Sequence, residues 1–241
     1  MTPKIKTGLV FILLLSISCT KENDVSDPAV IDNYSNSAFI SGQNDFNKFA
    51  AVSIGTQKWM TKNLDVNHYR NGDKIPQVTV PGKWDTLTTG AWCWFKNDSA
   101  NGAVYGRLYN WYAVNDPRGL APSGWHVPTD REWTTLSNFL GKNAGGKLKD
   151  TGTIDAGAGL WWAPNKGATN STGFTGLPGG YRSGDDGMFG QLGGQGHWWS
   201  STEYQTFQAW YRVLSYNYAI IYRSHQTATR RYGFSVRCIK D

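Results

Sequence analysis

The sequence predicts an α+β domain: a small twisted antiparallel sheet, two helices and long irregular loops. Three observations carry that prediction. Apolar residues make up only 39% of the 241 positions while aromatic rings supply 14%, so rings rather than aliphatic chains must fill the core. The 28 glycines follow no period and imply many tight turns. Short apolar runs alternate with turn signals, and helical spacing shows in only two places.

Residues 1–18 read as an export signal. Lys4 and Lys6 precede the apolar run 9–15, which is too short to span a bilayer, and small polar residues lead to Cys19. Ser16-Ile17-Ser18-Cys19 resembles a bacterial lipoprotein signal, in which the cysteine becomes the lipid-bearing first residue; an ordinary secretory peptide is the alternative. Lys21-Glu22-Asn23-Asp24 resembles the charged tag that sends lipoproteins of Bacteroides-type bacteria outward. The expected address is the outer membrane of such a Gram-negative cell, held by a lipid on Cys19 and displayed at the cell surface. Residues 19–38, rich in Asp, Asn and Ser, read as a flexible tether, and 39–241 as the folded domain. Loss of Lys4 and Lys6 with the signal lowers the formal charge from +6 to +4. The remaining basic residues are scattered apart from Arg230-Arg231, which argues for a solvated surface and against a nucleic-acid partner.

Within the domain, Val52 and Ile54 alternate ahead of Gly55-Thr56 and Lys58-Trp59-Met60, which predicts a hairpin. Asn71-Gly72-Asp73 is a further turn signal. Ala91-Trp92-Cys93-Trp94-Phe95 predicts a buried strand. Over 105–114, Leu108 pairs with Trp111 and Tyr112 at helical offsets, so the first helix is expected there. A hinge follows, where an apolar strand end runs from Trp125 past His126 into Pro128. Thr129 and Glu132 then stand in the capping-box relation that opens a helix. Trp133, Leu136, Phe139 and Leu140 give this second helix one apolar face, and it should stop before Gly145-Gly146. No helix is expected after 151. Residues 173–182 read as strand and turn, 183–196 as a glycine-rich loop, and 210–214 and 220–223 as strands flanking a turn at Tyr216-Asn217-Tyr218. The closing strand places Tyr232, Phe234, Val236 and Cys238 on one face.

Six ordered motifs carry a resemblance. They are Ile54-Gly55-Thr56-Gln57-Lys58-Trp59-Met60 with Asn63-Leu64; Tyr105-Gly106-Arg107-Leu108-Tyr109-Asn110-Trp111-Tyr112-Ala113-Val114; the hinge; Leu177-Pro178-Gly179-Gly180-Tyr181-Arg182; Trp198-Trp199-Ser200-Ser201-Thr202-Glu203; and the closing 231–238. Together they resemble the Fibrobacter succinogenes major paralogous domain family over about 52–238. That resemblance implies a C-type-lectin-like fold with terminal strands lying together, and a bacterial surface or secreted setting. It implies no settled activity, so function rests on the residues themselves.

In an oxidising compartment, with Cys19 acylated, Cys93 and Cys238 are expected to form a disulfide; two separate buried thiols are the alternative. Such a bridge closes a 145-residue loop between positions 93 and 238, worth roughly 4–5 kcal/mol on chain-entropy reasoning.

Catalytic motifs fall away on inspection. Gly141-Lys142-Asn143-Ala144-Gly145-Gly146-Lys147 matches seven positions of a phosphate loop, but Leu148 stands where the magnesium-binding hydroxyl belongs, and a helix precedes it instead of a strand. His68, His126, His197 and His225 lack zinc spacing, and His126 reads as a packed histidine beside the hinge. The ending 233–238 also resembles formylglycine-generating enzymes, which need a reactive cysteine pair near copper. Assigning Cys93 and Cys238 to a structural bridge leaves no such centre. No metal or other cofactor is therefore expected. The sugar-binding triplets of C-type lectins are missing, although Asp185, Asp186 and Glu203 are possible oxygen ligands near the loops.

What remains is an aromatic surface. Trp198, Trp199, Tyr204, Tyr216, Tyr218 and Tyr222 cluster in the final third, where rings stack on sugars or anchor a protein. For the two tryptophans the core is the competing place; Tyr216 and Tyr218, at a turn tip, are the better candidates for exposure. The expected function is a non-catalytic, lipid-anchored envelope protein whose lectin-like module binds a glycan or an envelope or host protein. An enzyme on the formylglycine-generating-enzyme scaffold and a purely structural envelope protein are the alternatives.

Overall fold

Strands from the two ends of the domain pair with each other and frame everything between. The computed structural model describes residues 49–226 and 229–241. The signal segment 1–18, Cys19, the tether 19–38 and the expected domain start at 39 lie outside the described residues. In chain order, the first half holds β1 (Ala51–Ile54), β2 (Gln57–Met60), α1 (Pro81–Trp84), β3 (Trp92–Cys93), α2 (Ser99–Tyr105), β4 (Leu108–Tyr109), α3 (Trp111–Val114) and β5 (Trp125–His126). The second half holds α4 (Asp130–Leu140), α5 (Ala144–Leu148), β6 (Gly179–Arg182), β7 (Phe189–Leu192), β8 (Gln195–Gln205), β9 (Gln208–Ser215), β10 (Tyr222–Ser224) and β11 (Ile239–Lys240).

The class is α+β. One sheet has the order β1-β2-β11-β5; a second runs β10-β9-β8-β6-β7; β3 and β4 form a separate ribbon. This is more sheet than the single small antiparallel one expected, and the β6–β8 pairing is parallel. The β1–β2 hairpin forms as predicted, with Gly55 at φ +61° in its turn, a conformation that any Cβ would strain.

Of the helix expected over 105–114 only the last turn, α3, forms; Leu108–Tyr109 are β4, and α2 ends at Tyr105, where the expected helix was to begin. Gly106, at φ +76°, ends α2. Asn110 caps α3, its side-chain oxygen accepting from the N–H groups of Ala113 at 3.0 Å and Ala91 at 2.9 Å. At the hinge the capping box is complete: the Thr129 hydroxyl accepts from Glu132 N–H at 3.2 Å, and the Glu132 carboxylate accepts from Thr129 N–H at 2.7 Å. His126 is only half-buried and joins that carboxylate at 2.8 Å to Asp241 at 2.6 Å. Burial works against its charge, but the two carboxylates outweigh burial and raise its pKa. Along α4, Trp133, Leu136 and Leu140 are buried, whereas Phe139 is 64% exposed and lies over the Gly55 turn. The helix ends at Leu140, before Gly145-Gly146 as expected, and those two glycines lie in a further short helix, α5.

Tyr232, Phe234, Val236 and Cys238 do share one cluster, but the closing segment is not a continuous strand. It makes isolated bridges, Gly233 with Arg182, Phe234 with Tyr109 and Ser235 with Trp198, before becoming β11. Residues between those apolar positions are buried too. Arg237, fully buried, donates to the Asn63 side-chain oxygen at 2.8 Å and to the carbonyls of Met60, Phe174 and Thr175.

The expected disulfide does not form: Cys93 and Cys238 are free, buried thiols. Cys93 pairs across β3–β4 with Leu108, and the next residue of β4, Tyr109, pairs on its other side with Phe234. Two strand spacings of about 4.8 Å thus part Cys93 from the closing segment, beyond the roughly 7 Å that a disulfide tolerates between Cα atoms. Cys93 packs with Trp84, Phe95 and Leu108, and Cys238 in the larger cluster around Trp125 and Val236. Burial rather than a bridge holds the thiols back from chemistry, because both side chains are 0% exposed and burial pushes each thiol up to about 12.

Candidate functional site

The period-2 alternation of β8 and β9 makes two unlike faces. In register, His197 sits beside Val213, and Val213 beside Tyr222, so three neighbouring strands bring these side chains together on one face. Gln195 and Ser215 continue that face. It forms the floor of an open cleft of about 770 Å³. Its walls are lined by Trp162, Tyr181, Gln191, Tyr216, Asn217 and Tyr218, and Tyr211, Tyr232 and Phe234 complete the lining.

Each wall is held from behind. Trp162 donates its backbone N–H to Gly193 at 2.8 Å, and its ring rests on Gly193-Gly194, where an added Cβ would meet it at 2.4 and 2.7 Å. Tyr216 donates its N–H to Gly194 at 3.0 Å and meets Trp162 edge-on at 5.6 Å. Tyr218 and Tyr222 make a second edge-on pair at 5.5 Å. Beneath the tyrosine turn lies the fully buried Lys149. Its ammonium donates to the carbonyls of Lys166 at 3.0 Å, Ser215 at 2.9 Å and Tyr218 at 3.0 Å. Burial lowers its pKa to about 8, so it remains mostly charged at neutral pH.

The floor holds a buried histidine. His197 is 6% exposed, stacked on Phe234 at 4.9 Å and met edge-on by Tyr181 at 5.2 Å, and its Nδ1 has no hydrogen-bond partner. Burial pushes this imidazole down to about 3, which makes it neutral at pH 7. Among the described lining residues, Arg223 is the only lysine or arginine and none is Asp or Glu. Arg223 turns to the other face, where its guanidinium grips Asp130 at 2.8 and 2.9 Å and lies 3.4 Å over Trp210.

Of the residues expected to bind a ligand, Tyr216, Tyr218 and Tyr222 meet in this cleft. Trp198 and Trp199 do not: at 1% and 0% exposure they are core residues, Trp198 donating to Asn63 at 2.8 Å and Trp199 to the Tyr109 carbonyl at 2.8 Å. Tyr204 lies outside the lining, stacked 3.6 Å from His225. Asp185 touches the site only through Tyr232, whose hydroxyl it accepts at 2.8 Å, while Asp186 accepts from Met188 N–H at 3.0 Å. Glu203 is paired with Arg230, and among the described residues no three His, Cys, Asp or Glu side chains gather as a metal site would require. Trp162, Tyr181, Gln195, His197 and Tyr232 escaped the sequence reading. The alternation of Gln195 and His197 against Trp198 was the available signal; the β6 and 162 walls had none.

Against this geometry the comparisons with known proteins are brief. The chain belongs to the Fibrobacter succinogenes major domain family, whose model matches residues 52–240. Neither the curated proteins nor the solved structures gave a match. Of the motifs that carried the resemblance, Asn63, Asn110, Arg182, Trp198 and Arg237 are held by core hydrogen bonds, and Tyr181, Tyr232 and Phe234 reach the cleft, whereas Trp162, Tyr216, Tyr218 and Tyr222 fall outside the motifs.

Proposed function

We propose that this chain is a non-catalytic, lipid-anchored envelope protein whose domain binds carbohydrate in the aromatic cleft. The carrying observation is the lining itself: the exposed and half-buried rings of Trp162, Tyr181, Tyr216, Tyr218 and Tyr222, alongside the amide-bearing Gln191, Gln195 and Asn217. Rings cover the apolar faces of sugars, and amides and tyrosyl hydroxyls meet their hydroxyls. A glycosidase needs two carboxyl groups about the scissile bond, and the described lining has none. Two thiols buried in separate clusters likewise speak against the copper-dependent alternative.

On this reading the domain is C-type-lectin-like, which the pairing of β2 with β11 and the long loops between the sheets support. The lipid on Cys19 and display at the outer-membrane surface rest on the sequence of residues 1–24 alone.

Screening the full chain on a glycan array and against envelope extracts tests the reading. Saturable glycan binding that disappears in a Tyr216→Ala/Tyr218→Ala variant is expected. A folded protein that ignores every carbohydrate would sink it. Replacing Cys19 with alanine should release the protein from the membrane fraction.

A further inference from the structure

Resting on the carbohydrate reading, we infer that the cleft takes a chain of several sugar units laid across the sheet. Trp162 with Tyr216, and Tyr218 with Tyr222, then serve as two separate stacking platforms for that chain. Three observations lead there.

The first is span. The lining draws on every strand of the five-stranded sheet, from Gln191 on β7 to Tyr222 on β10. Four strand spacings of about 4.8 Å put those two backbones on the order of 19 Å apart. The cavity of about 770 Å³ matches the roughly 300–1,000 Å³ of sites that enclose drug-sized molecules. A monosaccharide would leave much of it empty.

The second is where the rings stand. The Trp162–Tyr216 pair is anchored at the turn from β7 to β8, through the backbone bonds of Trp162 to Gly193 and of Tyr216 to Gly194. Tyr222 stands two strands beyond β8, beside Val213, and meets Tyr218 edge-on. Trp162 and Tyr218 are exposed and Tyr216 and Tyr222 half-buried, so both pairs are within reach of a ligand. One sugar has the breadth of one aromatic ring and covers one platform; only a chain engages both.

The third is that the spacing is built in. The close approach of Gly193-Gly194 to the indole and the grip of Lys149 on the Ser215 and Tyr218 carbonyls hold both platforms from beneath. Rings fixed in advance cost little ordering on binding. A chain seated on one platform meets the other as an intramolecular event. Gln191 on β7, Gln195 on β8 and Asn217 beyond β9 add amides at different stations, where hydroxyls of successive units can pair.

The test titrates the full chain, extracted in detergent, by calorimetry. Probes are manno-, cello- and chito-oligosaccharides from one sugar to six, with fragments of any glycan retained on the array. In at least one series affinity should rise by about tenfold or more from the monosaccharide, then level off once both platforms are covered. Trp162→Ala and Tyr218→Ala should each weaken the hexasaccharide severalfold or more, because a spanning chain needs both. The wild-type length series stands even if a variant fails to fold. A monosaccharide that binds as tightly as its hexamer, or a folded variant of either kind that holds the hexasaccharide normally, overturns this inference and leaves carbohydrate binding standing. Failure of every probe to bind overturns both.

Discussion

Two faces of one hairpin, built from alternate residues of the same strands, meet opposite fates. On the α4 side, Trp198, Arg212 and Leu214 are sealed. Arg212 donates to the Asp130 carboxylate at 2.8 Å, to the Asp130 carbonyl at 3.0 Å and to Thr134 at 3.1 Å. On the other side, His197, Val213 and Ser215 look into a cleft, and a ring nitrogen is left without a partner. The difference teaches that one pair of strands holds the framework on one side and lines a cleft on the other.

Breaking the sealed face should hurt most. Trp133→Ala removes a ring that packs 4.7 Å from Trp59 on the α4 side, and should cost about 3–5 kcal/mol by urea unfolding. Next comes Asp130→Asn, which leaves Arg212 buried without its anion and should cost about 3 kcal/mol or more. Asp130 also sets an acid limit. Burial alone would raise its pKa, but Arg223 and Arg212 outweigh burial and lower it. The unfolded chain then binds the proton more readily, so this stabilisation is complete above about pH 4 and is lost as pH falls through the lower, folded value. Urea midpoints measured from pH 6 downward should fall more steeply in the wild type than in Asp130→Asn.

Between the two faces lies Lys149→Met, which strips three carbonyls of their donor. A loss of about 1–3 kcal/mol is expected, together with faster hydrogen exchange in the 215–218 turn. On the open face the order of effects reverses. Tyr218→Ala, at a half-exposed position, should alter stability by no more than about 0.5 kcal/mol, yet weaken glycan binding at least severalfold on the glycan array. A Tyr218→Ala protein that binds normally would dissolve the distinction between the faces.

Legibility in the sequence followed the range of the interactions. The hinge was readable because a capping box is decided within four residues, and Thr129 and Glu132 both behave as their types require. The β1–β2 hairpin was readable for the same reason. Helix 105–114 was misread because Gly106 and Asn110 outweigh the Leu108–Trp111 spacing. The disulfide was misjudged on a long-range fact: compartment says that two thiols tend to join, whereas strand order says whether they meet. Half of the cleft was found, as Tyr216, Tyr218 and Tyr222, because a turn tip is a local property. Trp162 and Tyr181 arrive from segments tens of residues away, and nothing local marks them.

The sequence alone determined the α+β class, the family, the start of α4 and an aromatic core, since capping chemistry, periodicity and composition act over short stretches. Tertiary structure decided which rings became core and which became surface. Trp198 and His197 are neighbours in the chain, and only the packing of α4 against one side of the sheet sends the first into the interior and leaves the second at the floor of a cleft.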